Sequence, residues 1–414
     1  MFRVFCLGNT DSLYLQKLPN GRDERMCERT AAKLDETFMA RAIELARRGE
    51  GKTAPNPLVG AILVKNGCVI GEGWHECFGQ AHAEVNVIRN AKKNHKDPSG
   101  STLYVNLEPC CHYGKTPPCT ELIIKSGIIR VVIGIMDPNP LVAGRGTEAL
   151  RRAGITVASG VLEEDCRRLN EIFIHFITTK RPFVTIKAAV SLDGKTAAYT
   201  GASKWITGEH SRREVQLLRN SHTAVMVGVN TVLADDPELT CRMPGGRSPR
   251  KIILDSHLRI PKTSKIMTGL GSSPGSPLEK PSCKDEQTIL ACSEDADTRT
   301  AKELEALGAM VLRCKSKEGR VDLDDLMNQL GALGIDSILL EGGGTVNAAA
   351  FSQGIVNKLL LHMAPKILGG ASAKTFVEGL GVPSPDCAQQ FRIQDVGLYG
   401  EDIRITAYPS EATS

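Results

Sequence analysis

Apolar residues recur with helical spacing at Met39, Ala42, Ile43, Leu45 and Ala46, in a stretch that Asp35 or Thr37 can cap and that Gly49 and Gly51 can end. Two apolar runs follow, residues 59–64 and 68–75, on either side of the turn Lys65-Asn66-Gly67, and they read as paired strands. The pattern then alternates. A helix begins near His82, a buried strand covers 101–107, and a second helix enters through Pro117-Pro118 and stops at Gly127. A strand at 130–137, a helix at 146–154 and a strand at 155–161 complete the set. Strands alternating with helices predict an α/β sandwich with a largely parallel sheet.

Residues 161–182 read as one helix that leaves this unit, with a boundary at Arg181-Pro182. The pattern then restarts: strand 183–191, the turn Leu192-Asp193-Gly194-Lys195, helix 208–221 and strand 223–229. Further strands fall at 251–255, 288–292, 309–314, 337–343 and 358–368, with a helix from Thr345. A second α/β domain is expected. The predicted organisation is an extension over 1–34, a first domain over 35–180 and a second over 181–414. The Gly-, Ser- and Pro-rich segment 268–286 reads as a mobile loop inserted in the second domain. The extension lacks periodicity and reads as disordered, or as a start placed too early, with Met26 or Met39 as later starts.

A length of 414 residues suits two domains. Hydrophobic content of 41% and charged content of 24% fit a globular protein, and a net charge of +4 offers no basic tract for nucleic acid or a membrane surface. No apolar run reaches the roughly 20 residues that span a bilayer, and no secretory signal is evident, so a cytoplasmic location is expected. Thirteen scattered cysteines in such a chain do not make a disulfide framework.

The chemistry concentrates in Glu108–Cys119, EPCCHYGKTPPC, downstream of His82-Ala83-Glu84. A neutral imidazole with two thiolates is a zinc set, and a zinc deaminase adds a glutamate that is not a ligand but moves the proton. His82, Cys110 and Cys119 are the expected ligands of one zinc per chain and Glu84 the expected shuttle. The eight residues between Cys110 and Cys119 depart from the common C-x-x-C spacing, and the loop they form is expected to be a lid on the substrate side. Cys111, adjacent to Cys110, is expected only to pack. A fourth ligand, Cys111 or His112, would instead favour a structural zinc module. In the second domain, SILLEGGGTVNAAAF reads as strand, glycine loop and helix, a place where backbone amides can meet a phosphate. Lys187, Arg219 and Arg242 are candidate phosphate cations.

The segments TAPNPLVGAILV, GEGWHECFGQAHAEV, EPCCHYGKTPPCTELI and MDPNPLVAGRG, together with VTIKAAVSLDGKTA, GASKWITGEHSRREVQLLR, VGVNTVLADDPELTCR and LLEGGGTVNAAAF, resemble the bifunctional deaminase/reductases of riboflavin biosynthesis, over residues 35–407. That resemblance implies an N-terminal cytidine-deaminase-like α/β/α sandwich and a C-terminal dihydrofolate-reductase-like α/β domain. It implies hydrolytic deamination of 2,5-diamino-6-ribosylamino-pyrimidin-4-one 5′-phosphate, then NADPH-dependent reduction of the ribosyl to a ribityl chain. It assigns Asn56, His75, Lys115, Asp137 and Asn139 to the pyrimidine and phosphate pocket. In the second domain it assigns Lys187, Ser203, Arg219, Leu239, Arg242 and Glu341 to substrate. Ala189, Trp205, Thr231, Asp235, Ser256 and Gly342, Gly343 and Gly344 fall to NADPH. A homo-oligomer is expected, with no nucleic acid or membrane partner. A nucleotide or tRNA deaminase with an accessory domain fits the zinc motif, but not the long loop or the reductase-like motifs.

Overall fold

The helical spacing around Met39 belongs to a long helix, α1 (Asp23–Ala46), in a computed structural model that describes residues 23–113, 117–139, 143–269 and 287–410. The helix therefore includes Asp23 to Leu34, residues expected to belong to a disordered extension; residues 1–22 lie outside the described part. Neither proposed cap acts as one. Thr37 Oγ1 donates back to Lys33 O at 2.8 Å, inside the helix. Asp35 takes both Arg130 guanidinium ends, at 2.9 and 2.7 Å, and the Tyr104 hydroxyl at 2.8 Å. That ion pair fastens α1 to the sheet and makes its upstream turns worth extending. Met39, Ala42, Leu45 and Ala46 are fully buried beneath it.

The chain divides between Thr178 and Thr179 into two units. The first holds β1 (Gly60–Lys65), β2 (Cys68–Trp74), β3 (Thr102–Leu107), β4 (Arg130–Ile135) and β5 (Thr156–Ser159), in the spatial order β2-β1-β3-β4-β5. Its sheet is mixed rather than largely parallel. The tight turn after Lys65 makes β1 and β2 antiparallel, β1 is also antiparallel to β3, and only β3-β4 and β4-β5 run parallel. Five further helices follow α1: α2 (Ala83–Lys93), α3 (Cys119–Lys125), α4 (Arg145–Arg152), α5 (Glu163–Leu169) and α6 (Glu171–Thr179). The pattern read as one helix over 161–182 is two, because Asn170 turns its buried side chain to Leu58. Its Oδ1 accepts from Leu58 N at 2.8 Å and its Nδ2 donates to Leu58 O at 3.0 Å.

The second unit holds one sheet of nine strands, ordered β10-β9-β8-β7-β13-β6-β14-β16-β15. These are β6 (Phe183–Ser191), β7 (Ala224–Gly228), β8 (Arg250–Leu254), β9 (Thr288–Ser293), β10 (Met310–Cys314), β13 (Ser337–Leu340), β14 (Lys358–Ala364), β15 (Phe391–Tyr399) and β16 (Asp402–Pro409), with a small hairpin of β11 (Ser316–Lys317) and β12 (Arg320–Val321) beside them. Strands β10, β9, β8, β7, β13, β6 and β14 are parallel, whereas β16 and β15 close the edge antiparallel. Sequence reading passed over β15 and β16. A register shift between Ile393 and Asp395 breaks the apolar alternation there. The helices are α7 (Glu209–Ser221), α8 (Val229–Asp235), α9 (Lys265–Thr268), α10 (Thr298–Ala306), α11 (Leu323–Ala332) and α12 (Gly344–Ser352). Of the inserted segment, Thr268 ends α9 and Gly269 caps it, and residues 270–286 lie outside the described part.

One glycine sets the packing of α1 on β1. A Cβ at Gly60 would sit 2.0 Å from Ala42 O and 2.7 Å from Ala46 N, both backbone atoms of the helix. Gly60→Ala must push the helix off the sheet, at a cost of about 2 kcal/mol. The expected outcome is a calorimetric midpoint for the first unit lowered by about 4–8 °C, with the second unit's transition unmoved. An unchanged midpoint would show that the helix does not approach β1 this closely.

Candidate active sites

His82 caps α2 at its amino end, in extended backbone, and its carbonyl accepts from Val85 N and Asn86 N at 3.1 Å each. That leaves the imidazole free to turn toward the loop after β3. Cys119 opens α3 behind the extended Pro118, and its amide donates to Cys110 Sγ at 3.4 Å while Thr120 N donates to Cys110 O at 3.2 Å. The start of α3 thus wraps Cys110. His82 Nδ1 lies 3.6 Å from Cys110 Sγ and 3.3 Å from Cys119 Sγ, and the three ligand atoms fall within 4.8 Å of one another. Among the described residues no other histidine, cysteine, aspartate or glutamate joins this group, so neither Cys111 nor His112 makes a fourth ligand.

Two thiolates this close repel. The Cys110 pKa is lowered by the hydrogen bond from Cys119 and then by His82, against burial. The Cys119 thiol is pushed up, by that same bond and then by burial. A dication is what would let both thiols ionise. The soft sulfur pair with an imidazole suits zinc. Glu84, in the first turn of α2, is 4% exposed, and burial, then the Cys110 charge, raise its pKa to about 7.

Around this cluster lies a cavity of about 350 Å³, lined by Asn56, His75, His82, Glu84, Cys110, His112, Asp137 and Asn139 among others. Four of the five residues expected at the pyrimidine and phosphate pocket therefore line this cavity; Lys115, and with it Gly114 and Thr116 of the expected lid, lie outside the described residues. His75 is buried, and burial lowers its pKa, so the ring is neutral. Its Nδ1 donates to Ala81 O at 3.0 Å and its Nε2 accepts from Asn56 Nδ2 at 3.2 Å, which leaves the Asn56 carbonyl to face the cavity. Asp137 accepts from Asn139 N at 2.9 Å, and burial raises its pKa.

Sequence reasoning missed two parts of this site. One is the apolar wall of Phe173, Phe176 and Ile177, one face of α6 at helical spacing. The apolar run was visible, but not that it faces a cavity. The other is a pair of buried polar residues on β3 and just after it. Asn106 accepts from Gly60 N at 2.8 Å and donates to Leu58 O at 2.9 Å, fixing the backbone beside Asn56. Glu108 accepts from Asp137 N at 3.2 Å, Gly144 N at 3.0 Å and Thr147 N at 2.8 Å.

In the second unit several of the expected residues follow the carboxyl ends of parallel strands, the usual position for ligands in such sheets: Thr231 after β7, Ser256 after β8 and Glu341 after β13. Glu341 follows β13 and its amide donates to Met226 O at 3.0 Å. Arg219, on α7, grips it from both sides, Nε to Oε1 at 2.7 Å and Nη2 to Oε2 at 2.9 Å, and gives Nη1 to Thr240 O at 3.0 Å. Burial pushes Glu341 up, but Arg219 and then Lys187 bring it below the ordinary carboxylate range. Arg219 is thus engaged in holding Glu341, and its role as a free phosphate cation gives way to that bidentate pair. Lys187 lies on β6, with Ala189 two residues on along the same face. Burial lowers the lysine's pKa while Glu341 opposes the shift.

The remaining residues differ in what they can offer. Leu239 is buried in the core with Val225, Val227 and Ile253, so only its backbone, in the left-handed region at φ 55°, can meet a ligand. Trp205 is 62% exposed with the Arg212 guanidinium 4.8 Å from its ring centre, a surface shelf rather than a core residue. Ser256 Oγ accepts from Val321 N at 3.2 Å. Arg242 is exposed and gives its amide to Gln216 at 2.9 Å. Asp235 ends α8 and Ser203 is half-buried in a turn; neither is drawn to the Arg219–Glu341 pair by a hydrogen bond. In the glycine loop, a Cβ at Gly344 would strike Thr375 O at 2.6 Å, so that glycine admits a neighbouring segment of chain. Gly343 has open space, its nearest neighbour being Thr231 Oγ1 at 3.9 Å.

Residues 182–405 match the family model of the RibD C-terminal domain, and residues 32–135 match that of the cytidine and deoxycytidylate deaminase zinc-binding region. The riboflavin biosynthesis protein RibD of Actinobacillus pleuropneumoniae is 47% identical over 89% of this chain and 94% of its own length. That of Escherichia coli K12 is 38% identical over 89% and 98%. A crystal structure of a diaminohydroxyphosphoribosylaminopyrimidine deaminase/5-amino-6-(5-phosphoribosylamino)uracil reductase from Thermotoga maritima, 38% identical, superposes with a TM-score of 0.78 over 92% of this chain and all of that one. An Acinetobacter baumannii RibD structure, 36% identical, gives the same score. No helix among the described residues is long and apolar enough to cross a membrane. The chain belongs to the RibD family of riboflavin biosynthesis, bifunctional enzymes that join a zinc-binding deaminase unit to a reductase unit.

Proposed function

We propose that the first unit deaminates 2,5-diamino-6-ribosylamino-pyrimidin-4-one 5′-phosphate and that the second reduces the ribosyl chain of the product with NADPH, giving 5-amino-6-ribitylamino-uracil 5′-phosphate. The observation that carries the first step is the three-ligand cluster His82, Cys110 and Cys119 opening on a cavity that also contains the buried Glu84. Zinc held there supplies the Lewis acidity that makes water a nucleophile at neutral pH. Glu84 takes the proton from that water and returns it to the leaving amine, so that water and an amino carbon become a carbonyl and ammonia. A buried carboxyl with a pKa raised to about 7 is suited to both halves of that transfer. The neutral His75 fixes Asn56, and Asn56, Asp137 and Asn139 offer acceptors and donors to a polar heterocycle. Phe173, Phe176 and Ile177 add apolar lining that keeps water from part of the cavity. Lys115 is the cation proposed for the phosphate.

For the reduction, NADPH supplies the hydride, which goes to the ribose C1. Support comes from the open Gly343 beside Thr231, the exposed Trp205 shelf and the position of Ser256 just after β8, with Ala189 on β6 and Asp235 at the end of α8 proposed beside them. Lys187, Glu341 and Arg242 are proposed for the substrate, with Ser203 and the Leu239 backbone, and Arg219 holds Glu341 ionised and in place. The enzyme is proposed to work in the cytoplasm as a homo-oligomer on a small-molecule substrate.

Glu84→Gln is expected to reduce ammonia release by about a thousandfold or more while the protein keeps one zinc per chain by elemental analysis. Removing zinc with a chelator is expected to stop ammonia release and leave NADPH oxidation with the deaminated compound intact. Ammonia release that survives both treatments would exclude this site as the deaminase centre. In the second unit, the lowered pKa of Lys187 means that its ammonium is lost as pH rises, below the pH of about 10.4 at which a free lysine titrates. The rate of NADPH oxidation is expected to fall along that limb, and Lys187→Arg to move the limb upward. A profile flat to pH 11 in the unaltered enzyme would remove the charge of Lys187 from the reaction.

A further inference from the structure

The carboxylate of Glu108 is 3% exposed and stands where β3 ends, two residues before Cys110. Both of its oxygens are taken by backbone amides. Oε2 accepts from Asp137 and Gly144, and Oε1 accepts from Thr147. Those three donors bracket the segment that leaves β4 and enters α4. Gly144 and Thr147 belong to the cap and first turn of that helix, whose amides have no partners within the helix. Asp137 begins the segment, and its own carboxylate then accepts from Asn139 N. Close approach is built in, since a Cβ at Gly146 would lie 2.3 Å from Pro109 O and 3.2 Å from Glu108 Oε1.

We infer that Glu108 is a positioning residue for deamination: one buried carboxylate latches the segment carrying Asp137 and Asn139 against the strand that leads to Cys110, and so sets the polar wall of the substrate cavity relative to the zinc ligands. The inference rests on the deaminase reading of that cavity. A carboxylate is required because all three groups facing it are donors. Glutamine keeps a single acceptor oxygen, and its amino end must confront either Thr147 N or the pair Asp137 N and Gly144 N. Glutamine, nearly the same shape, is therefore not conservative here. The effect reaches the substrate through Asp137, so it belongs in substrate binding rather than in the zinc site or in the reductase chemistry of the other unit.

The test uses the full-length, zinc-loaded protein. Glu108→Gln is expected to raise KM for deamination about tenfold or more, with a smaller change in kcat. Zinc content and NADPH oxidation with the deaminated compound should stay unchanged. In an Asp137→Asn background the same substitution is expected to add less than about threefold, because both act on one element. Amide exchange at Asp137, Gly144 and Thr147 should quicken by about tenfold in the variant, a readout that needs no substrate. Loss of zinc in Glu108→Gln would overturn the inference, by making the residue a support for Cys110 instead. Full additivity with Asp137→Asn, or unchanged exchange at the three amides, would overturn it too. Unaltered protein that binds zinc yet releases no ammonia would instead strike the deaminase reading, and the role of Glu108 with it, whatever the exchange data.

Discussion

Backbone groups buried where a sheet meets its loops must find partners, and at the carboxyl end of β3 they find them in two side chains. Asn106 holds Leu58 and Gly60 on one side, and Glu108 holds Asp137, Gly144 and Thr147 on the other. Asn170 adds a second grip on Leu58 from the break between α5 and α6. Cys110 follows two residues later. The strand end therefore works as a hub. The loop bearing Asn56, the loop bearing Asp137 and Cys110 of the candidate metal cluster are all referred to one short piece of chain. An unpartnered group at any of these amides would carry a desolvation cost of about 1–3 kcal/mol, enough to let the wall of the cavity shift.

The two units handle charge in opposite ways. In the first, like charges are crowded. The two thiols are shifted in opposite directions, burial raises the pKa of Glu84 and lowers that of His75, and the donor set suits a cation. In the second, opposite charges are already matched. Arg219 and Glu341 form a bidentate pair, with Lys187 beside them. That difference follows the chemistry each unit performs in this family. A hydrolytic centre needs a proton carrier that can change state near neutral pH, whereas in the reductase unit the charges are held in a fixed, matched pair.

Much of the metal centre was legible in the residues themselves. His82 and Glu84 are two apart at a helix start, and Cys119 follows two prolines that cannot continue any preceding helix, so their placement is local. The strands and helices of both units were legible for the same reason, since their periodicity reports which face is buried. Less legible were residues whose local pattern misleads. The bulge in β15 hides a strand, and Asn170 interrupts a helical pattern by bonding to a residue far away in sequence. Asp35 looks like a helix cap, yet it pairs with Arg130 across the sheet.

By itself, then, the sequence determined the alternation of elements, the division into two units and the His-Cys-Cys donor set beside Glu84. It also carried the motifs by which the family is recognised. Tertiary structure alone decided which backbone groups Asn106, Glu108 and Asn170 satisfy, that Arg219 is committed to Glu341, that Leu239 can offer only its backbone, and that Gly343 rather than Gly344 has room beside it. These depend on contacts between segments distant along the chain. A hydrogen bond there is set by where the fold brings two groups together, and no local pattern encodes its partner.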